Sequence, residues 1–152
     1  METINTRPLF TMRITGSIRK SLGTTSFGVR DYVAVIEASI DGPDLKARLV
    51  SGGDDWIDVA PDGARMLNCR LMYETDDGAL IGMNYRGLRH APAAVLAREA
   101  RGEDVDPQSI YHRVAIFFET SAARYAHLNR MLAIGRGHRG KTGAVYEVCE
   151  VL

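Results

Sequence analysis

The sequence predicts a mainly β protein, a single antiparallel β-barrel with two short helices in one domain over residues 1–152. Apolar and polar residues alternate with a period of two along most of the chain, which is typical of half-buried strands. Turn sequences such as Asp41-Gly42-Pro43 and Asp76-Asp77-Gly78 interrupt this alternation at short intervals. Strands and helices do not alternate regularly, which argues against a doubly wound α/β fold and favours a barrel without exposed edges.

The first half of the chain is predicted to contain strands only. We expect them at residues 9–14, 32–40, 45–50, 57–59, 64–74 and 79–86, with a Gly/Ser/Thr-rich loop at 15–28. The Asp-Gly pair between the last two strands is a strong hairpin signal.

The second half mixes strands with two helices. Proline near its start and Gly102 just after its end predict a helix at 92–100. Ser121 is the expected cap of a second helix at 122–129. Strands are expected at 111–120, 131–135 and 144–151.

Charge and hydropathy exclude several classes of partner. Lys and Arg number 19 and Asp and Glu number 19, so the formal net charge of zero gives no basic surface for nucleic acid or anionic lipid. No apolar run approaches the roughly 20 residues that a membrane span needs. Residues 1–10 lack the layout of a signal peptide. We therefore expect a cytoplasmic protein without nucleic-acid or membrane partners.

The central hairpin indicates a ligand pocket. With a two-residue turn at Asp77-Gly78, Arg70 faces Tyr85, and Asn68 lies on the same strand face. Both faces of the hairpin then mix polar and apolar residues, which suggests that both are covered. Arg70 and Tyr85 become candidate ligand contacts, because an arginine inside a barrel must be paired or bind an anion. The alternative is that these charges lie at solvated strand ends.

No motif in the chain implies a metal or a cofactor. The string Gly135-Arg-Gly-His-Arg-Gly140-Lys141-Thr142 formally matches a phosphate-binding loop. Such a loop works only before a helix, whereas the residues after it alternate like a strand. The string is therefore interpreted as a hairpin loop. The four histidines and two cysteines do not form a metal-binding pattern.

Two further clusters supply candidate site residues. In Gly52-Gly-Asp-Asp-Trp56, Asp55 beside an aromatic surface is a candidate acid or base, and Trp56 is a candidate aromatic ligand contact. The alternative is a structural turn in which Trp56 plugs a barrel end. The second cluster is the strand end at Glu119, which shares a face with Arg113 and is followed by Tyr125. Its alternative role is to cap the following helix.

An ordered set of short motifs resembles the domain-of-unknown-function family 3237, also called uncharacterised protein family 0311. The motifs span nearly the whole chain and are Gly28-Val-Arg30, Gly42-Pro43, Gly52-Gly-Asp-Asp-Trp56, Asp62-Gly63, Thr75-Asp-Asp-Gly-Ala79, Gly87 and Phe118-Glu-Thr120 with Tyr125-x-x-Leu-Asn129. The chain departs from the family pattern at Ile116-Phe117, where proline is usual, and at His127, where tryptophan is usual. The resemblance implies a lipocalin-like β-barrel that assembles as a homo-oligomer, and it implies no agreed reaction. It draws attention to six residues, Asp55, Trp56, Asp62, Arg70, Glu119 and Tyr125.

Two functions follow as expectations. The first is a cofactor-free acid/base enzyme of the isomerase, hydratase, lyase or cyclase type, acting on a small aromatic or polyketide-like compound. Its catalytic residues would be Asp55, Glu119 and Arg70, and its ligand contacts Trp56, Asn68, Tyr85, Arg113 and Tyr125. The second is a barrel that binds a small molecule without changing it. A scaffold whose interior is filled by side chains is a third alternative.

Overall fold

The computed structural model describes residues 3–152, which contain nine β-strands, one α-helix and two 3₁₀ segments. The strands are β1 (Thr6–Thr25), β2 (Gly28–Asp41), β3 (Lys46–Leu49), β4 (Gly53–Val59), β5 (Arg65–Thr75), β6 (Leu80–His90), β7 (Tyr111–Glu119), β8 (Ala133–Arg139) and β9 (Ala144–Val151). Helix α1 covers Ala93–Ala100, and the 3₁₀ segments cover Pro107–Ser109 and Ala123–Arg130. The second 3₁₀ segment is called the closing helix below.

The strands pair antiparallel in a ring that closes on itself. β1 pairs with β2 on one side and with β9 on the other, and the remaining strands complete the circuit. β3 and β4 both lie between β2 and β5, so they serve as one interrupted strand. The interruption falls at Ser51 and Gly52, which have φ angles of 59° and 83°. The predicted mainly β, barrel-like fold with two short helices is confirmed.

Three predicted details of the elements are wrong. Residues 15–25 continue β1 instead of forming a loop, because shifts in the β1–β2 register absorb the irregular sequence without ending the pairing. The strand expected at 57–59 begins at Gly53, since β2 and β5 pair with the whole segment. Ser121 does not cap the closing helix, which starts later. The hydroxyl of Thr120 accepts the Ala122 N–H instead, at 3.1 Å.

The interior is filled mainly by the inward residues of the strands, and the two ends of the barrel differ. At the closed end, the closing helix buries Tyr125 and Leu128 against the core beside Phe118 of β7. At the other end, called the mouth below, β4, β6 and β8 finish, and α1 lies near the opening with no buried residue. Within residues 3–152, no helix combines the length and the apolar character that crossing a membrane would require.

Candidate functional site

The β5–β6 hairpin has a different register from the one expected. Its turn covers residues 76–79, and the last pair is Glu74 with Leu80, so Cys69 rather than Arg70 faces Tyr85. A shift of one residue moves every side chain to the other face. The inward face therefore carries Leu67, Cys69, Leu71 and Tyr73, all buried, opposite Ile81, Met83 and Tyr85. The two mixed faces predicted from the sequence are a consequence of the wrong register.

Only two of the predicted site residues lie inside the barrel near its middle, and these are Asp55 and Tyr85, both buried. Arg70 and Asn68 are exposed on the outer face of β5, so the prediction that Arg70 and Tyr85 share an interior face is wrong. Trp56 is also on the outer face, where its ring meets Tyr32 edge to face with centroids 5.0 Å apart. It does not plug a barrel end.

Arg113 also lies on the outer surface, where it lines a shallow groove of about 770 Å³ on β5 to β8. Its guanidinium group is 5.1 Å from the centre of the Tyr111 ring, and its Nη1 donates to the His112 carbonyl at 2.9 Å. These contacts hold Arg113 away from the barrel interior.

The stretch around Glu119 and Tyr125 forms the closed end. Asn129 accepts the Thr120 N–H at 2.8 Å and donates to the Thr120 carbonyl at 2.9 Å, so one amide clamps the end of β7. The Tyr125 hydroxyl donates to Asp77 at 3.2 Å, which ties the closing helix to the β5–β6 turn. Glu119 is exposed. This motif therefore has a clear structural role, and it is at the opposite end from the mouth.

The mouth contains a cavity of about 890 Å³, called the mouth cavity below. Its charged and titratable lining is Arg19, Arg65, Arg89, Arg139, Glu99, His112 and His138, and its apolar lining includes Val59, Leu96 and Ala97. A second cavity of about 670 Å³ adjoins it and shares Arg89, Glu99 and His112. The mouth is thus rich in arginine and has one apolar wall.

Two ion pairs organise the mouth. Arg89 donates through Nη2 to both Glu99 oxygens, at 2.5 and 2.7 Å, and so links β6 to α1. Arg19 of β1 pairs with the buried Asp31 of β2. Burial opposes the charged form of Asp31, but hydrogen bonds with Arg19 and Ser21 lower the pKa of its carboxyl below the ordinary value.

A chain of neighbouring interior side chains leads from the middle of the barrel to the mouth cavity. Cys69 and Tyr85 are cross-strand neighbours, and the rings of Tyr85 and Tyr146 of β9 lie with their centroids 5.7 Å apart. The Tyr146 hydroxyl lies within hydrogen-bond distance of His112 Nε2, at 3.2 Å. Burial raises the pKa of the Cys69 thiol and of both tyrosine hydroxyls. All three groups therefore stay protonated at neutral pH.

His112 is the member of this chain that reaches the mouth cavity. Its ring lies over Gly137, where an added Cβ would be only 2.5 Å from Nδ1. Burial, with the nearby Arg89 and Arg113 guanidinium groups, lowers the pKa of His112 to about 4, so the imidazole is neutral at pH 7. Among residues 3–152, His112 Nδ1 makes no hydrogen bond.

Asp55 lies beneath the mouth cavity on β4, opposite Cys69. Burial, assisted by the neighbouring charge of Asp54, raises the pKa of Asp55 to about 6, although the Asn68 N–H donates to its Oδ1 at 3.0 Å. The charge of Asp55 also acts on Tyr85 and Tyr146. Protonation of Asp55 near neutral pH therefore changes the electrostatic field within the barrel interior.

Sequence reasoning missed the residues of the mouth. No histidine was predicted as a site residue, yet His112 shares an inward face with Val114, Ile116 and Phe118. Arg65 likewise lies two positions before Leu67, the first buried inward residue of β5. Extending the apolar face of each strand to its end would have placed both residues inside the barrel.

The segment at 135–142 covers the end of β8 and the turn into β9, and no helix follows it. The segment therefore belongs to a β-hairpin, as predicted, although its first five residues are strand and not loop. Across the part of the chain that the structure describes, no three His, Cys, Asp or Glu side chains are grouped as a metal ion requires. His112 accordingly has no companion set of metal ligands there.

Comparison with known proteins supports the fold. A family profile described as protein of unknown function, DUF3237, matches residues 4–151. A UPF0311 protein of Rhodopseudomonas palustris is 30% identical over 150 residues, covering 99% of this chain and 98% of the relative. The crystal structure of a conserved protein of unknown function from the same species matches with a TM-score of 0.91 at 30% identity, over all of both chains.

Two other solved structures extend this comparison. A beta-barrel like protein from Acinetobacter baumannii has a TM-score of 0.82 at 34% identity, covering 100% of this chain and 98% of the other. A protein described as an enzyme from Penicillium herquei has a TM-score of 0.75 at 18% identity, covering 100% and 97%. At that identity the second likeness supports the fold alone.

Proposed function

We propose that this chain, which belongs to the DUF3237 family of proteins of unknown function, is an acid/base enzyme that acts on a small organic molecule in the mouth cavity. The carrying observation is that His112 lines this cavity, that its Nε2 lies 3.2 Å from the Tyr146 hydroxyl, and that its Nδ1 makes no hydrogen bond among residues 3–152. A positioned acid/base group within reach of a bound molecule is what isomerase, hydratase, lyase and cyclase reactions share.

In the proposed step, His112 Nδ1 removes a proton from a carbon next to a substrate carbonyl. The electron pair of the broken C–H bond moves toward the carbonyl oxygen, which gives an enolate. His112 is neutral at pH 7 and so has a lone pair for the proton, but its pKa of about 4 makes it a weak base. The step therefore depends on the arginines around the cavity, which favour the negative charge that develops. Return of a proton to another atom completes an isomerisation, and loss of a neighbouring group completes an elimination.

The Penicillium herquei protein described as an enzyme has this fold, so the fold is compatible with catalysis, but at 18% identity the likeness assigns no reaction to this chain. A small aromatic or polyketide-like substrate remains our proposal for the compound class. The cavity of about 890 Å³ has room for such a molecule.

The proposal is tested by deuterium exchange at the benzylic carbon of phenylpyruvate in D₂O, followed by proton NMR. We expect the wild-type protein to accelerate exchange, and we expect His112→Gln to lose roughly 100-fold or more of that acceleration. His127→Gln is the matched control, because His127 is exposed on the closing helix and is remote from the mouth. Equal exchange rates for wild type and His112→Gln would contradict the mechanism.

The second candidate is a barrel that binds the molecule unchanged. Asp55, the interior acid that titrates near neutral pH, does not line the mouth cavity and already accepts a backbone N–H, which favours a structural carboxylate. Under this alternative, phenylpyruvate binds at the mouth but gains no deuterium beyond the buffer rate. The homo-oligomer expected from the family resemblance stays a separate prediction, which light scattering on the purified protein tests.

A further inference from the structure

Arg65 occupies an unusual position among the arginines of the mouth. It is the first residue of β5, it lines the mouth cavity and it is half-buried. Its Nε is fully buried and has no hydrogen-bond partner. A buried donor without an acceptor is rare in folded proteins and calls for an explanation.

The carboxylates near Arg65 are already engaged. Asp31 pairs with Arg19, and both oxygens of Glu99 accept from Arg89. In the chain from residue 3 to residue 152, Arg65 forms no ion pair. Burial, together with the like charges of Arg19 and Arg89, lowers the pKa of Arg65, although a guanidinium group keeps its proton in proteins.

The mouth therefore carries more positive than negative charge. Arg139 also lines the cavity and forms no ion pair within the described residues, but it is exposed, so Arg65 is the partly buried guanidinium group without a carboxylate partner. A partly buried charge without a partner is costly to fold. Such a cost is commonly retained where the charge serves a ligand.

We infer that Arg65 is an anion subsite of the mouth cavity and that it holds the carboxylate of a small acid with an apolar body. The planar fork of a guanidinium group matches the two oxygens of a carboxylate. The apolar body would lie against the wall formed by Val59, Leu96 and Ala97. This inference rests on the proposed function for its cavity, and it names the class of substrate.

The test compares benzoate with uncharged benzamide by NMR titration of wild type and two variants. Arg65→Met removes the proposed subsite. Arg70→Met is the matched control, because Arg70 is on the same strand but is exposed on the outer face. We expect benzoate to bind wild type and Arg70→Met alike and to bind Arg65→Met at least 10-fold more weakly, whereas benzamide should not distinguish the three proteins.

Other outcomes would overturn the inference. A parallel titration uses inorganic phosphate in place of benzoate, and tighter Arg65-dependent binding of phosphate would reject the carboxylate assignment. Failure of benzoate to bind wild type up to its solubility limit, or equal binding to Arg65→Met, would reject the subsite.

A melting experiment without ligand separates a binding role from a structural one. Because Arg65 lacks a protein partner, Arg65→Met should leave the melting temperature unchanged or raise it, and a fall of several degrees would indicate a structural role instead. Benzoate binding measured on His112→Gln keeps this inference distinct from the proposed function. If that variant binds benzoate through Arg65 while wild type shows no exchange activity, the subsite stands and the enzyme proposal fails.

Discussion

At the closed end of the barrel, polar groups find their partners within the chain. The Asn129 amide satisfies both backbone groups of Thr120, and the Tyr125 hydroxyl reaches Asp77. At the mouth, the arginines outnumber the carboxylates that line the cavity, and Arg65 Nε has no partner. The two ends thus differ in charge and in these contacts, although the hydroxyl of Tyr73, near the end of β5, is also buried without a partner. The comparison shows that a stretch of conspicuous sequence can serve folding, while the mouth, for which we propose binding, is built from inconspicuous residues.

The largest expected effect tests the closed end. Phe118 is buried and meets Phe10 edge to face with ring centroids 6.1 Å apart, whereas its neighbour Phe117 is 52% exposed. Phe118→Ala should lower the free energy of unfolding by about 3–5 kcal/mol, because it leaves a cavity where the closing helix packs. Phe117→Ala is the control and should cost under about 1 kcal/mol. Urea unfolding measures the free energy of unfolding of both variants. Similar losses for Phe118→Ala and Phe117→Ala would show that packing at the closed end does not stabilise the fold more than the exposed outer face does.

The next effect concerns pH and two buried titrating groups, Asp55 in the barrel interior and His112 at the mouth. Folded Asp55 keeps its proton up to a pKa of about 6 against 3.8 unfolded, so its contribution favours folding in acid and is lost as pH rises through about 6. Folded His112 binds a proton only below a pKa of about 4 against 6.5 unfolded, so its contribution is present above 6.5 and is lost as pH falls. The two contributions oppose each other over the same pH range.

Substituting one group should therefore leave the pH dependence of the free energy of unfolding that the other group causes. Between pH 4 and 7, Asp55→Asn should become more stable with rising pH, relative to wild type, by about 3 kcal/mol. His112→Gln should become less stable with rising pH by a similar amount. Urea unfolding at four pH values measures the differences from wild type, in which contributions of the other carboxylates cancel. Parallel pH profiles for all three proteins would mean that these two pKa values are not shifted.

Much of the fold could be predicted from the sequence, because alternation with a period of two is a local property. β9 follows the predicted strand, and α1 follows the predicted helix. The sequence could not predict which residues of the β5–β6 hairpin point into the barrel, since this depends on the length of a single turn. The site could not be predicted either, because it forms between distant residues. Tyr146 meets His112 across 34 positions of sequence, and Glu99 of a helix meets Arg89 of a strand.

A smaller effect is expected from a glycine at the mouth. An alanine Cβ at position 137 would lie 2.5 Å from His112 Nδ1, whereas one at position 82 would meet nothing closer than 3.5 Å. Gly137→Ala should cost about 1–3 kcal/mol and displace the imidazole. Gly82→Ala, also within a strand, should be near neutral. We expect Gly137→Ala, but not Gly82→Ala, to lose phenylpyruvate exchange and to shift the His112 ring resonances in NMR. If Gly137→Ala keeps the wild-type exchange rate and resonance positions, the ring has room to move.

The smallest expected effect returns to the closed end. Glu119 was the sequence-based partner of Asp55 as a catalytic carboxylate, but it is exposed, and the neighbouring hydrogen bonds are made by Thr120 and Asn129. Glu119→Gln should therefore change the free energy of unfolding by no more than about 0.5 kcal/mol. It should also leave phenylpyruvate exchange unchanged, because the mouth cavity is at the other end of β7. A loss of exchange with stability intact would place chemistry at the closed end and reverse the assignment of the two ends.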